Sequence, residues 1–271
     1  VNPQRTFVVG DVHGCLRELQ ALLKKAGVRK GIDRLVFAGD LLDRGPDSVG
    51  VVRLAMDYGA EAVMGNHEEK HLRFRREELR RSMLGKPETD LPKMPHPYVH
   101  NELTPVEWEW LGRLPLTVWL YENLVVVHGG FAEDSLPRNP HLNSCRIRFA
   151  DRLTRNSARG STAVNCPDGA VFWTRMYDGG ENGSTSVIYG HQPFGSPNVE
   201  VGKDERFWTA GIDTGACYGD TLTGLWVEDG DFVSTRSIRS YYGRDYENVP
   251  QRVCPHRVWS NWGARRTSIL A

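Results

Sequence analysis

Short apolar runs, each interrupted by a polar motif, recur along this chain. Phe7-Val8-Val9 leads into Gly10-Asp11-Val12-His13-Gly14, and Leu35-Val36-Phe37-Ala38 into Gly39-Asp40-Leu41-Leu42-Asp43-Arg44-Gly45. Ala62-Val63-Met64 leads into Gly65-Asn66-His67-Glu68, and Leu124-Val125-Val126-Val127 into His128-Gly129-Gly130. Val187-Ile188-Tyr189 precedes Gly190-His191, and Phe207-Trp208 precedes Gly211-Ile212-Asp213-Thr214-Gly215. Runs of this kind, rich in β-branched residues, read as buried strands. After the first motif the apolar spacing turns helical at Leu16, Leu19, Leu22 and Leu23; after the second it does so at Val49, Val52 and Met56. Residues 1–70 therefore predict βαβαβ.

The third motif opens a charged helix from Glu68 to about Met83. Its Arg73, Arg75, Arg76, Arg80 and Arg81 read as a solvated face balanced by Glu77 and Glu78, with attraction of a polyphosphate as the weaker alternative. The stretch 85–97 holds four prolines and predicts a loop. Thr104-Pro105-Val106-Glu107 predicts a helix start with Thr104 as cap, Pro105 at the first position and Glu107 completing a capping box. Trp108, Trp110 and Leu111 would then face inward. Residues 132–169 predict a loop-and-helix excursion over the motif-bearing edge. Leu225 to Ser234, centred on Asp229-Gly230, predicts a β-hairpin closed by a tight primed turn. Regular patterning ends after Ser237, which divides the chain into a main domain over 1–237 and a basic extension over 238–271. The extension sets Arg239, Arg244, Arg252, Arg257, Arg265 and Arg266 against Asp245 and Glu247. Contact with RNA or protein and plain surface packing are equal readings of it, and its partner is not legible.

Sheets of this type gather ligands at the carboxyl ends of their strands. One edge should therefore collect Asp11, His13, Asp40, Asn66, His128 and His191. Carboxylate oxygen with imidazole nitrogen suits divalent transition ions such as Mn, Fe or Zn. Asp11 and His13, two apart on an extended chain, project to the same side and can hold one ion. Asp40 can bridge to a second ion held by Asn66, His128 and His191. Two ions about 3.5–4 Å apart stabilise both the attacking and the leaving oxygen of an in-line displacement. Glycines 10, 14, 39, 45, 65, 129, 130 and 190 permit sharp turns where the strands end. His71, His96, His100, His141 and His256 lack motif context and read as surface or structural.

Composition narrows the function classes. The 271 residues suffice for one large α/β domain. Lys plus Arg and Asp plus Glu both total 34, so the net charge is zero and a global nucleic-acid signature is excluded. Mean hydropathy is −0.47 and no apolar run reaches the length of a membrane span. There is no secretory signal pattern. The first residue is Val, as in a chain lacking its true start, so targeting signals upstream of it are not legible. Five cysteines, odd in number and without Cys-x-x-Cys spacing, read as reduced thiols and place the protein in the cytoplasm.

The ordered set Gly-Asp-x-His-Gly, Gly-Asp-x-x-Asp-Arg-Gly, Gly-Asn-His-Glu, His-Gly-Gly and Gly-His resembles the calcineurin-like metallophosphoesterases. More narrowly it resembles the phosphoprotein phosphatase superfamily, from residue 7 to about 225. Met64 stands where the Ser/Thr protein phosphatases usually carry Arg, and their Ser-Ala-Pro-Asn-Tyr stretch is absent. Ile212 to Gly219, followed by Leu222-Thr223, instead resembles the bis(5′-nucleosyl)-tetraphosphatases, the ApaH-like branch. The resemblance implies an α/β fold with a central β-sandwich flanked by helices. It also implies two divalent metal ions, with Mn sufficing in vitro, and hydrolysis of a dinucleoside polyphosphate such as diadenosine tetraphosphate. Capped RNA 5′ ends, inorganic polyphosphate and phosphoproteins are the alternative substrates; an inactive metal-bound scaffold finds no support, since every motif residue is present. His67 would be the general acid, and Asp43 would orient it and favour its imidazolium form. The planar fork of Arg44 would hold two phosphate oxygens. Arg175 matches a second phosphate-binding arginine of the family less closely. Tyr218 would touch phosphate or stack on a base, although a lone aromatic is more often core.

Overall fold

A computed structural model of the chain describes residues 4–85, 96–158, 166–202 and 205–243. Most of the expected proline-rich loop, part of the excursion at 159–165, and the tail from 244 with Cys254 and His256 lie outside the described residues. The first half contains β1 (Thr6–Val9), α1 (Leu16–Ala26), β2 (Arg34–Phe37), α2 (Ser48–Asp57), β3 (Glu61–Ala62) and α3 (Asn66–Met83). Next come α4 (Pro97–Glu102), α5 (Pro105–Gly112), β4 (Thr117–Tyr121) and β5 (Leu124–Val127). The second half adds β6 (Phe149–Asp151), β7 (Ala170–Phe172), β8 (Ser186–Tyr189) and β9 (Asn198–Val201). It closes with β10 (Trp208–Gly211), β11 (Thr221–Trp226) and β12 (Asp231–Arg236).

Two five-stranded sheets, ordered β12-β11-β1-β2-β3 and β4-β5-β8-β10-β9, stack face to face. The expected βαβαβ is the parallel heart of the first sheet. In the second, β5, β8 and β10 run parallel while β4 and β9 pair antiparallel at the edges. Alternation along the strands explains why the runs are apolar throughout. Phe7 and Val9 of β1 and Leu35 and Phe37 of β2 pack on Leu19, Leu22, Val51 and Ala55 of the helices. Val8 and Val36 point the other way and meet Val126, Ile188 and Ala210 of the opposite sheet. The outer face of that second sheet, with Val125, Val127, Val187 and Tyr189, is covered by Phe131, Phe172 and Trp173.

Local signals behave as their chemistry dictates. At α5, Thr104 Oγ1 accepts from the Glu107 N–H while Glu107 Oε2 accepts from the Thr104 N–H. Trp108 and Leu111 are buried and Trp110 is half-buried. On α3, Arg80 and Arg81 both pair with Glu77, and Arg75 lies over the Trp108 ring. Two expectations change. The excursion has no α-helix among its described residues; it is a 3-10 turn over Leu142–Cys145 and the two-stranded ribbon β6-β7. Its one aromatic side chain, Phe149, packs against the cluster on the outer face of the second sheet, and such tertiary packing outweighs local preference. The hairpin is present, but Trp226 pairs with Asp231, so Val227 to Gly230 make a wider turn than Asp-Gly alone. Residues 238–242, in the expected extension, are bonded to the main domain: Ile238 N–H and Tyr241 O–H both donate to Glu18 Oε1. The described cysteines are free thiols. No described helix is long and apolar enough to cross a membrane.

Gly224, paired with Val9 in the β1–β11 ladder, lies directly over the fully buried Phe7 ring. A Cβ at this position would overlap that ring, which is itself tilted against Trp226 at 4.8 Å. Gly224→Ala is therefore expected to destabilise the fold by about 1–3 kcal/mol, the usual cost of overpacking a filled core. Urea unfolding measures it; a midpoint equal to wild type would contradict this packing.

Candidate metal centre

All six parallel strands finish at one edge of the sandwich, so the motif residues converge there. Asp40 is the hub. Its Oδ2 lies 3.5 Å from His13 Nε2, 3.3 Å from His128 Nε2 and 3.9 Å from His67 Nε2. It belongs to both groups of side chains able to hold an ion, His13–Asp40–His67 and Asp40–His128–His191. Asp11 Oδ2 is 3.9 Å from His13 Nε2, and both Asp11 oxygens accept from the His191 N–H at 3.1 Å. Asn66 Oδ1 and His191 Nδ1 lie 3.2 and 3.1 Å from His128 Nε2. All six expected ligands are thus in one cluster, and Asp11, His13, Asp40, His128 and His191 are buried.

The chemistry of this cluster fits divalent ions. His13 and His128 each direct Nδ1 at a backbone carbonyl, Leu42 O at 2.9 Å and Ala38 O at 2.8 Å. Donation there leaves the Nε2 lone pairs facing the carboxylates, the arrangement metal-ligating histidines use. His191 Nε2 is buried without a hydrogen-bond partner in the protein. Burial pushes the Asp11 carboxyl above its usual range, and the Asp213 and Asp40 charges push it further. Burial disfavours a charged His128, yet Asp40 and Asp11 outweigh it and hold the imidazole up to about 10. The carboxylates therefore call for positive charge at this spot. A proton on His128 is one source of it, and an ion shared by the cluster is the other.

Backbone geometry marks the same place. Among the described residues eight non-glycine positions have positive φ, and five of them are His13, Asp40, Asp43, Arg44 and His191. Each such residue costs of order 1–3 kcal/mol, a strain that concentrates where geometry is set for function. Gly190 is needed for a different reason: a Cβ on it would collide with Asp11 Oδ1. Glu68, fully buried, accepts N–H bonds from Asp40, Leu41, Leu42 and Gly65, and so ties the second motif to the third.

His67 differs from its neighbours in being reachable. Its side chain is 12% exposed, against 3% for His13 and 0% for His128. Its Nδ1 is 2.6 Å from Asp43 Oδ2. The other Asp43 oxygen accepts from His71 Nε2 at 2.7 Å, and His71 Nδ1 is 2.9 Å from His100 Nε2. Burial alone would raise the Asp43 carboxyl, but the bonds and charges of His67 and His71 hold it well below the carboxylate range. His71, expected to be surface or structural, takes the second of these places: it is fully buried and bonded to this aspartate. Its spacing of four from His67 on α3 puts the two on one helix face, a signal present in the sequence. His96 Nε2 also comes within 3.6 Å of Asp43 Oδ1.

Two arginines flank the cluster. Arg44 Nη1 is 2.8 Å from His13 Nε2, with Cζ 5.3 Å from the Tyr218 ring. Arg148, unremarked in the sequence, donates from Nη2 to His191 O at 3.1 Å, and its Nε is buried without a partner. It arrives from β6 side of the excursion, a placement only the tertiary fold reveals. Arg175 is exposed on the turn after β7, where its charge acts on the Cys166 thiol. It is the one expected site residue that the contacts above do not reach.

The calcineurin-like phosphoesterase family profile matches residues 4–221. The asymmetrical bis(5′-nucleosyl)-tetraphosphatase PrpE of Bacillus subtilis (strain 168) is 32% identical over 254 residues, covering 86% of this chain and 95% of the relative. Its Bacillus velezensis counterpart is 31% identical over 258 residues, with 86% and 93% covered. A crystal structure provisionally assigned as a diadenosine tetraphosphatase superposes with a TM-score of 0.68 at 25% identity, over 87% of this chain and 95% of that one.

Proposed function

This chain belongs to the calcineurin-like phosphoesterases and is a hydrolase; from that premise we propose that it cleaves a phosphoanhydride bond of dinucleoside polyphosphates such as diadenosine tetraphosphate. The observation that carries the reaction class is Asp40, common to two groups of side chains able to hold an ion, with the Arg44 guanidinium beside them. The substrate class is supported by the tetraphosphatase-named relatives at 32% and 31% identity.

Asp11, His13 and Asp40 would hold one divalent ion, and Asp40, Asn66, His128 and His191 the other. Such a pair supplies charge stabilisation and a water acidic enough to act as nucleophile near neutral pH. The protein groups do the rest. Arg44 holds a polyphosphate oxygen pair with its planar fork, and Arg148 adds positive charge behind His191. Arg175, on its exposed turn, and Tyr218, against Arg44, are the outer substrate contacts. Asp43, kept ionised, fixes the His67 ring by its Nδ1 and leaves Nε2 to deliver a proton to the departing oxygen. Free thiols at Cys15, Cys145 and Cys217 accord with a cytoplasmic setting.

Met64 is buried, and its N–H donates to Pro115 O at 2.7 Å, so no cation stands at the position where protein phosphatases usually carry Arg. We therefore expect kcat/KM for diadenosine tetraphosphate to exceed that for phosphopeptides. A panel of dinucleoside polyphosphates, capped RNA, inorganic polyphosphate and phosphopeptides, with Mn²⁺ supplied and products separated by chromatography, makes the comparison. Better turnover of phosphopeptides would reverse the substrate assignment and leave the reaction class standing.

A further inference from the structure

The residues after β12 do not leave the molecule at once. Ser237 N–H donates to Asp220 O at 2.8 Å and Ser237 Oγ to Ala216 O at 2.7 Å. Ile238 N–H and Tyr241 O–H both donate to Glu18 Oε1, at 3.0 and 2.8 Å. The N–H groups of Tyr241 and Tyr242 both reach Cys217 O, at 2.9 and 3.1 Å. This segment is therefore fastened to α1 and to the turn that carries Tyr218. Its effect is to set the Tyr242 ring beside the phosphate-binding arginine. Arg44 Cζ is 5.5 Å from the Tyr242 centroid and 5.3 Å from that of Tyr218, and the two rings meet edge to face at 6.2 Å.

The two aromatics are not equivalent. Tyr218 is half-buried, whereas Tyr242 is 45% exposed. A large aromatic side chain left open to solvent, yet fastened through its own backbone N–H and through those of Ile238 and Tyr241 before it, is suited to receive a flat apolar ligand. Its location says which one. A polyphosphate gripped by Arg44 carries its base one ribose away from the nearest phosphate, and the exposed ring stands at that scale from the guanidinium. Every nucleobase offers a π-face, so a single aromatic platform binds bases without hydrogen-bond readout.

We propose that Tyr242, backed by Tyr218, is a nucleobase-stacking platform that selects nucleoside polyphosphates over base-free polyphosphates. The inference rests on the dinucleotide reading of the site and names how that substrate is held. It also gives the first residues of the C-terminal extension a role in the site.

The test compares the chain of residues 1–271 as wild type, Tyr242→Ala and Tyr242→Phe. For each, one measures KM for diadenosine tetraphosphate and the competitive inhibition constant of inorganic tripolyphosphate, which has the anhydride chain and no base. Tyr242→Ala should raise KM for the dinucleotide by about 5- to 100-fold, the range that removal of one base-stacking aromatic gives. The tripolyphosphate constant should move less than about twofold, and Tyr242→Phe should restore most of the dinucleotide affinity, since stacking needs the ring and not the hydroxyl. A role confined to packing on Arg44 predicts equal losses for both ligands, and that result would overturn the platform. So would an unchanged dinucleotide KM in Tyr242→Ala. If wild type does not hydrolyse diadenosine tetraphosphate at all, the dinucleotide reading falls first and the platform with it.

Discussion

Asp40→Asn is expected to release both metal ions and to lower turnover by roughly 10²–10³-fold, the scale set by removing one preorganised electrostatic group from an active site. The substitution is nearly isosteric. Oδ1, which accepts the His67 N–H at 3.0 Å, is retained, so the start of α3 keeps its anchor. What is lost is the negative charge on Oδ2, which faces His13, His128 and His67 at once. His13→Ala should behave differently, because His13 belongs to one of the two ligand groups and not to the one that contains His128 and His191; one ion should weaken and the other remain. Elemental analysis of the purified variants, alongside circular dichroism to confirm folding, reads this directly. Two ions fully retained in Asp40→Asn at wild-type activity would remove Asp40 from the bridging position.

His67→Ala should separate substrates by leaving group. General acid catalysis is worth about 10²–10⁴-fold and matters most when the departing oxygen is strongly basic. A nucleotide departing from an anhydride leaves as a phosphate oxygen, whose second pKa is about 6 by analogy with other phosphoryl groups. It can leave as an anion near neutral pH, beside Arg44. An alkoxide cannot. The loss in kcat should therefore be larger for alkyl phosphate monoesters than for dinucleoside polyphosphates. Asp43→Asn should follow the same order more weakly, since it acts through the ring. An amide can accept from only one of the two imidazoles that Asp43 now serves, His67 and His71. Equal fractional losses on both substrate types in His67→Ala, at unchanged metal content, would assign His67 to phosphate positioning and not to proton delivery.

The parts of this site legible in the sequence are those that local chain geometry dictates. Asp11, Asp40, His128 and His191 follow apolar runs that could only be buried strands, and parallel strands deliver their next residues to one edge. The glycine-rich turns, the α5 capping box and the sandwich follow from the same local logic. What escaped is what depends on chain segments meeting. Arg148 reaches His191 because the excursion folds as a ribbon, not a helix. Tyr242 reaches Arg44 because Glu18, far away in sequence, captures Ile238 and Tyr241. His71 lies between these cases: its helical register with His67 was readable, but the His100 partner comes from another helix. The left-handed backbone at His13, Asp40, Asp43, Arg44 and His191 was not legible either: Asp and His tolerate that region better than most residues, but they adopt it in a small minority of cases, and Arg44 has no such bias.

Hydrolysis of a nucleotide phosphoanhydride with two ions held by this cluster is the expected chemistry. Its most direct test is titration of metal-stripped protein with Mn²⁺ while diadenosine tetraphosphate cleavage is followed by chromatography. Activity should be absent without metal and should reach its plateau at two ions per chain. Full activity at one ion per chain, or no cleavage with two bound, would rule out a two-ion phosphoanhydride hydrolase.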